Sequence, residues 1–415
     1  MFLHQKTSKP TKKLLKLALK LDFDCSSEDL RASYNVEKHG NGLKTRYKKL
    51  TINFASAPHQ IVGANGNAMY VMMDESLISL SDGSAATLLL KNPASDACSC
   101  VYRGSLILSG KDFGTYVING AQFEKVRQDG FSSLTSCADR IFGLYKDEVF
   151  YTAAGKADGW EQGQTITLSS QCQAVTCVGE KVYALGNDCY VLIPKADDVE
   201  FKVLPSARNV GKVAKASVVN YNGAAVFATS NGLFRLSSDK VEPICQQLNS
   251  LVDLSNSLGA IFNKKYYLSC KSLDSTEKRN DVTICIDLDE EEVVGVLRYG
   301  FDSMCATDTK IYGLSNGVCY SFSRMPSDGK YVKSNVDFAT YDKKFLDKLL
   351  IKTVNDLDVT IRSETETRLY KLKGKNYVQK LNLRDMGWKF SIELLSNDGL
   401  DVENAVLFAH TCGEA

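Results

Sequence analysis

Catalytic signatures are missing from this sequence. It contains no HExxH, Walker loop, GxGxxG or CxxC, so zinc-protease, phosphate-cradling and dithiol chemistry have no local motif. The four histidines, His4, His39, His59 and His410, make no recognisable pair. An excess of one charge is also missing: 50 Lys+Arg stand against 49 Asp+Glu, a net +1, which argues against a protein built chiefly to bind nucleic acid. Long apolar runs do not occur either. The stretch from Lys12 to Leu21 is too charged for a secretory signal core and too short to span a bilayer, so no membrane insertion is expected. Tryptophan is limited to Trp160 and Trp388.

Apolar residue types make up 44% of the 415 residues, enough for a sizeable core. The 13 cysteines are odd in number and sit mostly singly inside apolar runs such as Thr283-Ile284-Cys285-Ile286. Buried free cysteine behaves as a small hydrophobe, so the expectation is free thiols in a reducing cytoplasm. Near the start, Leu15, Leu17, Leu19, Leu21 and Phe23 alternate with Lys16, Ala18, Lys20 and Asp22, which is strand period. The helical alternative would put Leu14, Leu17, Ala18 and Leu21 on one face.

The organising signal is a repeat. Seven apolar strands are centred on Tyr70, Ile107, Phe142, Tyr183, Phe227, Tyr267 and Tyr312, at spacings of 37, 35, 41, 44, 40 and 45 residues. Small or hydroxyl-bearing strands precede them, as in Cys98-Ser99-Cys100-Val101 and Ala174-Val175-Thr176-Cys177-Val178. Turn residues lie between, as in Asn65-Gly66, Val178-Gly179 and Asn222-Gly223, where positive φ is tolerated. A third strand follows, for example Leu233-Phe234-Arg235-Leu236. Runs of four to six residues rich in Val, Ile, Tyr and Phe are too short for helical repeats, which need about ten residues per helix. The pattern predicts an all-β protein, a seven-bladed β-propeller over residues 56–325.

Beyond Met325-Pro326-Ser327-Asp328-Gly329 the period breaks. Alternating runs at 348–352, 357–362, 378–383, 388–394 and 405–408 predict a small antiparallel β-sandwich over 330–415, completed by the N-terminal strand. Residues 1–55 are read as an N-terminal arm and lead-in strands.

Candidate chemistry is thin. His410-Thr411-Cys412 is a weak metal pair, and Cys98/Cys100 and Cys172/Cys177 fail zinc spacing; Cys98 and Cys100 share a strand face and are expected to pack within a blade. The acidic run 287–292 lacks the glycine and spaced oxygens of a calcium loop and reads as a solvated hairpin tip. Asp158-Gly159-Trp160 faintly resembles an Asp-box turn, but the other box residues are missing, and no carboxylate pair stands out for glycoside cleavage. Lys6, Lys9, Lys12, Lys13, Lys16 and Lys20, continued by Lys44, Arg46, Lys48 and Lys49, read as a solvated arm or a lysine-protected edge; the functional alternative is contact with DNA phosphate or an acidic partner. The expectation is no enzyme, no cofactor, no metal and no catalytic residue.

Three patterns together resemble the propeller proteins of bacteriophage tails and necks, of the nozzle or tail-tubular type. They are Ala32-Ser33-Tyr34-Asn35-Val36 followed by Asn41-Gly42-Leu43-Lys44-Thr45-Arg46-Tyr47; Arg140-Ile141-Phe142-Gly143-Leu144 running through Val149-Phe150-Tyr151-Thr152 to Gly159-Trp160; and a C-terminal module with Leu349-Leu350-Ile351, Val359-Thr360-Ile361 and Gly387-Trp388-Lys389-Phe390-Ser391-Ile392-Glu393-Leu394. The resemblance implies a structural virion protein, assembled in the host cytoplasm as a homo-oligomeric ring around the DNA conduit. Its partners would be other virion proteins (tail, portal or adaptor), with passive contact to genomic DNA. One alternative is a receptor- or glycan-binding propeller of the tail, which two tryptophans serve poorly. Another is a cellular protein-interaction propeller akin to WD40 proteins, although the Gly-His and Trp-Asp dipeptides of those repeats are missing.

Overall fold

The computed structural model describes residues 14–19, 21, 32–45, 48–74, 76–81, 84–89, 96–120, 122–160, 164–195, 200–323 and 328–411. His4, Phe23, Cys25, Cys412, the junction residues 325–327, and Lys6, Lys9, Lys12, Lys13, Lys20 and Arg46 of the basic cluster lie outside them. The structure is built from β-strands joined by tight turns, with 3-10 turns at Lys215–Ser217 and Gln246–Ser250. Two compact units result. One is Lys49–Val293 with Arg298–Ser323; the other is Met1–Lys48, Val294–Leu297 and Arg324–Ala415.

The first unit is a series of antiparallel strand groups, six of them four-stranded sheets. Their first strands are Gln60–Asn65, Ala97–Tyr102, Ser133–Cys137, Cys172–Val178, Val219–Tyr221, Val252–Phe262 and Ser303–Ala306. Successive first strands lie side by side, and the last lies against the first, so the series closes on itself. All seven aromatic or aliphatic anchors fall on second strands, and all are buried. A second strand is flanked within its sheet on both sides and covered on both faces, so alternation disappears: Ala224–Thr229 is buried along its whole length.

The seventh group takes its fourth strand from ahead of the first. Lys48–Ile52, within the stretch read from sequence as arm and lead-in strands, pairs beside Val318–Ser323. The Lys49 ammonium lies 3.6 Å from the Tyr320 ring centroid and 5.0 Å from that of Tyr299. Three strands alone would leave an open edge, and a strand from the far end of the unit covers it.

Two groups share a motif that the spacing alone does not disclose: Gly130-Phe131-Ser132-Ser133 and Gly300-Phe301-Asp302-Ser303. The Phe131 amide donates to Ser109 Oγ (2.8 Å) and the Phe301 amide to Ser269 Oγ (2.9 Å). Each ring then lies over a glycine of the next second strand. A Cβ on Gly143 would come within 2.5 Å of Phe131, and one on Gly313 within 2.4 Å of Phe301. Glycine is required there for close approach.

The second unit has two sheets facing one core. Asp401–Thr411 is central in the first sheet, with Lys344–Thr353 and then Lys375–Asn382 on one side, and Leu14–Ala18 and Gly42–Lys44 on the other. Val36–His39 lies between Gly42–Lys44 and the segment Val294–Leu297. The second sheet is ordered Gly329–Val336, Phe390–Ser396, Leu357–Arg362, Thr367–Leu372. Leu346, Leu349, Ile351 and Leu407 of one sheet share a core with Val359, Ile361, Ile392 and Leu394 of the other. The N-terminal leucines follow strand period: Leu15 and Leu17 pack against this core, and Leu19 and Leu21 are buried in it.

Candidate functional site: the axial cavity

A first strand pairs with its second strand on one side only, leaving amide and carbonyl groups along the other edge. Polar side chains from the adjacent group occupy them. Ser99 Oγ donates to the Val62 carbonyl (2.7 Å), and Ser136 Oγ donates to that of Val101 (2.8 Å). The Val175 amide donates to Ser133 Oγ (3.1 Å), and the Ile61 amide to Ser303 Oγ (2.7 Å). Gln60 both accepts from the Ala97 amide (2.9 Å) and donates to its carbonyl (2.8 Å). Small hydroxyl-bearing residues on these strands therefore stitch one repeat to the next. The Ser303–Ile61 bond repeats the Ser133–Val175 bond at the point where the series closes.

Between the first strands lies a cavity of about 960 Å³. Among the described residues its charged lining residues are Asp96, Lys212, Lys215 and Asp302, and all four stand where first strands begin. Residues lining the other end, among them Ala64, Val101, Ser136, Thr176 and Asn220, are uncharged. Lys215 Nζ pairs with Asp96, which joins the fifth group to the second. Both residues line the cavity, so the pair lies at its mouth. Asp302 Oδ2 accepts from the Asn316 amide at 2.9 Å.

At the other end, turns between first and second strands form a belt. The Arg103 guanidinium donates twice to the Asp139 carboxylate, at 2.8 and 2.6 Å. Tyr102 Oη donates to the Asp139 carbonyl (3.1 Å), and Asn65 Nδ2 to that of Gly104 (2.7 Å).

The thiols of the lining are poor nucleophiles. Burial pushes the Cys98 thiol up to about 12, against a smaller opposing pull from Lys215, and burial also raises Cys100. Cys98 and Cys100 pack against the cluster of Ile107, Phe131 and Leu134, as their shared strand face implies.

The expectation of free thiols needs correction at one pair. Cys137 and Cys177 form a disulfide, with Cα atoms 5.6 Å apart and a sequence separation of 40. That separation is one repeat, which brings equivalent strands side by side, and it is the signal that could have found the pair. Cys98, Cys100, Cys172, Cys189, Cys270, Cys305 and Cys319 are free thiols. The acidic run is likewise more than a solvated tip: Tyr221 Oη donates to Asp289 (3.1 Å) and Arg235 pairs with Glu291 (3.2 Å). Trp160 serves packing, its ring 4.8 Å from that of Phe131, and its amide bonds to the Asp158 carbonyl. His410 pairs with Asp347 (2.9 Å) over the Phe345 ring. Of the basic cluster, Lys44 pairs with Asp401 at 3.4 Å. Among the described residues no group of three or more His, Cys, Asp or Glu is placed to hold a metal ion, and no helix is long and apolar enough to cross a membrane.

No family model and no curated protein matches the chain in sequence. Solved structures do match in fold. The WD40 repeats of RRP9 align at 10% identity over 67% of this chain and 98% of that one, with a TM-score of 0.50. The extracellular domain of BT4673 from B. thetaiotaomicron aligns at 11% identity over 91% of this chain and 62% of that one, also at 0.50. U3-55K aligns at 11% identity over 66% of this chain and 98% of that one, at 0.49. At such identities the likeness concerns the fold alone, and that to the two structures at 0.50, with the closed series of antiparallel groups, makes the repeat unit a β-propeller.

Proposed function

We propose that the chain is a non-catalytic, seven-bladed β-propeller that binds other proteins at the charged mouth of its axial cavity, with a small antiparallel β-sandwich as a second module. The observation that carries this reading is the division of labour in the cavity lining. Hydroxyl and amide side chains are engaged in repeat-to-repeat hydrogen bonds, while the four charged residues gather at one end. A rigid ring that displays a small charged concavity suits recognition of a protein segment, and the buried, protonated thiols give no support to catalysis.

The test is to fill the mouth. Gln171→Trp with Asn256→Trp, both at the lining, should remove proteins that co-purify with the full chain from its native cell. Lys125→Glu, on the outer strand Gln122–Arg127, should leave them in place. Retention of every partner by the filled variant ends the reading.

The narrower reading is a ring-forming building block of a bacteriophage tail or neck, assembled in the host cytoplasm. It is supported by the resemblance carried by residues 32–47, 140–160 and 349–394. Mass spectrometry of purified particles should then find several copies per tail. Absence from particles removes this narrower assignment and leaves the protein-binding propeller standing.

A further inference from the structure

We propose that the cavity mouth is an anion-binding site for an acidic segment of a partner protein, and that Asp96 fills it in the free protein as an intramolecular stand-in. The proposal rests on the protein-binding reading above and specifies its chemistry. Lys215 opens the 3-10 turn Lys215–Ser217, and Lys212 stands three residues before it. That segment is pinned from several sides. Ser217 Oγ donates to the Ala214 carbonyl (2.6 Å) and accepts from the Ala228 amide (2.8 Å), and Tyr266 Oη donates to the Ser217 carbonyl (2.8 Å). The Lys212 amide donates to Ser230 Oγ at 3.1 Å, and the Ser230 amide returns a bond to the Lys212 carbonyl at 3.0 Å. Two ammonium groups are thus presented from a fixed backbone at the rim of the cavity. Lys212 has no ion-pair partner among the described residues.

Asp96 reaches Lys215 from 119 residues away, a contact that no strand pairing requires. Its side chain is 66% exposed and that of Lys215 36%, so the pair is accessible and held weakly. A carboxylate already sits on one lysine, while the second lysine is open. A segment carrying several carboxylates can engage both and displace Asp96.

The test uses the full chain and a fluorescein-labelled hexaglutamate peptide, read by fluorescence anisotropy at low salt. Asp96→Asn, nearly isosteric, removes the internal competitor and should tighten binding about three- to tenfold. Lys212→Gln with Lys215→Gln should weaken it about tenfold or more. Thermal unfolding that matches the parent chain shows that each variant is folded. Unchanged or weaker binding by Asp96→Asn overturns the proposal, as does unchanged binding by the double lysine variant. Tighter binding of a single-stranded oligonucleotide of equal charge also overturns it. If the filled mouth loses its partners while hexaglutamate binding ignores Asp96, Lys212 and Lys215, the acidic-ligand proposal falls and the protein-binding reading stands.

Discussion

The two-sheet unit and the propeller unit bury their strands by different means. In the two-sheet unit, Phe390–Ser396 alternates buried and half-buried residues along its length, and Leu357–Arg362 buries every second residue. One apolar core serves both sheets. In the propeller the second strands are buried nearly throughout, and the apolar material is divided among several clusters lying between neighbouring groups. Those clusters do not set the order of the groups by themselves. Directional bonds such as Ser99 to Val62 and Ser133 to Val175 do, each spanning about one repeat. A pooled core makes the two-sheet unit sensitive to lost volume, whereas the ring is sensitive to lost registration.

The largest expected effect comes from the pooled core. Leu349→Ala should destabilise the two-sheet unit by about 2–5 kcal/mol, seen as an earlier unfolding transition in calorimetry. A loss no larger than that of a surface substitution would deny that the two sheets depend on one core. Next come Gly143→Ala and Gly313→Ala, which push a methyl into Phe131 and Phe301 and should each cost about 1–3 kcal/mol in the propeller transition. Similar losses at the two sites are expected; a tolerated alanine at either would show that the paired motif is coincidental. Ser303→Ala and Ser133→Ala remove one acceptor each, at a cost of about 1–3 kcal/mol. The loss should be greater for Ser303, whose bond to the Ile61 amide is buried, while that of Ser133 to Val175 is only partly so.

The smallest effect is a pH dependence. Hydrogen bonds from Lys181 and then Tyr183 hold the Asp239 carboxyl below the ordinary aspartate range. The unfolded chain therefore takes up a proton at higher pH than the folded one. The contribution is complete above about pH 4 and is lost as pH falls through the lowered folded-state value. Because the pair is exposed, the change is small, and Asp239→Asn should flatten that part of the stability profile. An unaltered profile would show that the link between the fourth and fifth groups contributes nothing at acid pH.

Much of the propeller is legible in the sequence, because burial of a second strand on both faces demands an apolar run and the ring repeats that demand at each anchor from Tyr70 to Tyr312. The cavity site is not legible in the same way. Asp96 and Lys215 carry no local pattern, and nothing in their neighbours marks a partner across the ring. Cys137 and Cys177 are intermediate: each resembles any cysteine in an apolar strand, and only their separation by one repeat connects them.

By itself, the sequence determines strand periodicity, the repeat and the polar character of the first strands, since these are requirements on side chains and each residue type records its own burial. Tertiary structure alone decides that Lys48–Ile52 completes the seventh group, that Leu14–Ala18 pairs with Asp401–Thr411, and that the cavity's four charges gather at one mouth. Strand pairing uses amide and carbonyl groups that nearly every residue carries, so the chain does not label which edge meets which. Charges brought together across a closed ring acquire their meaning only once the ring has closed.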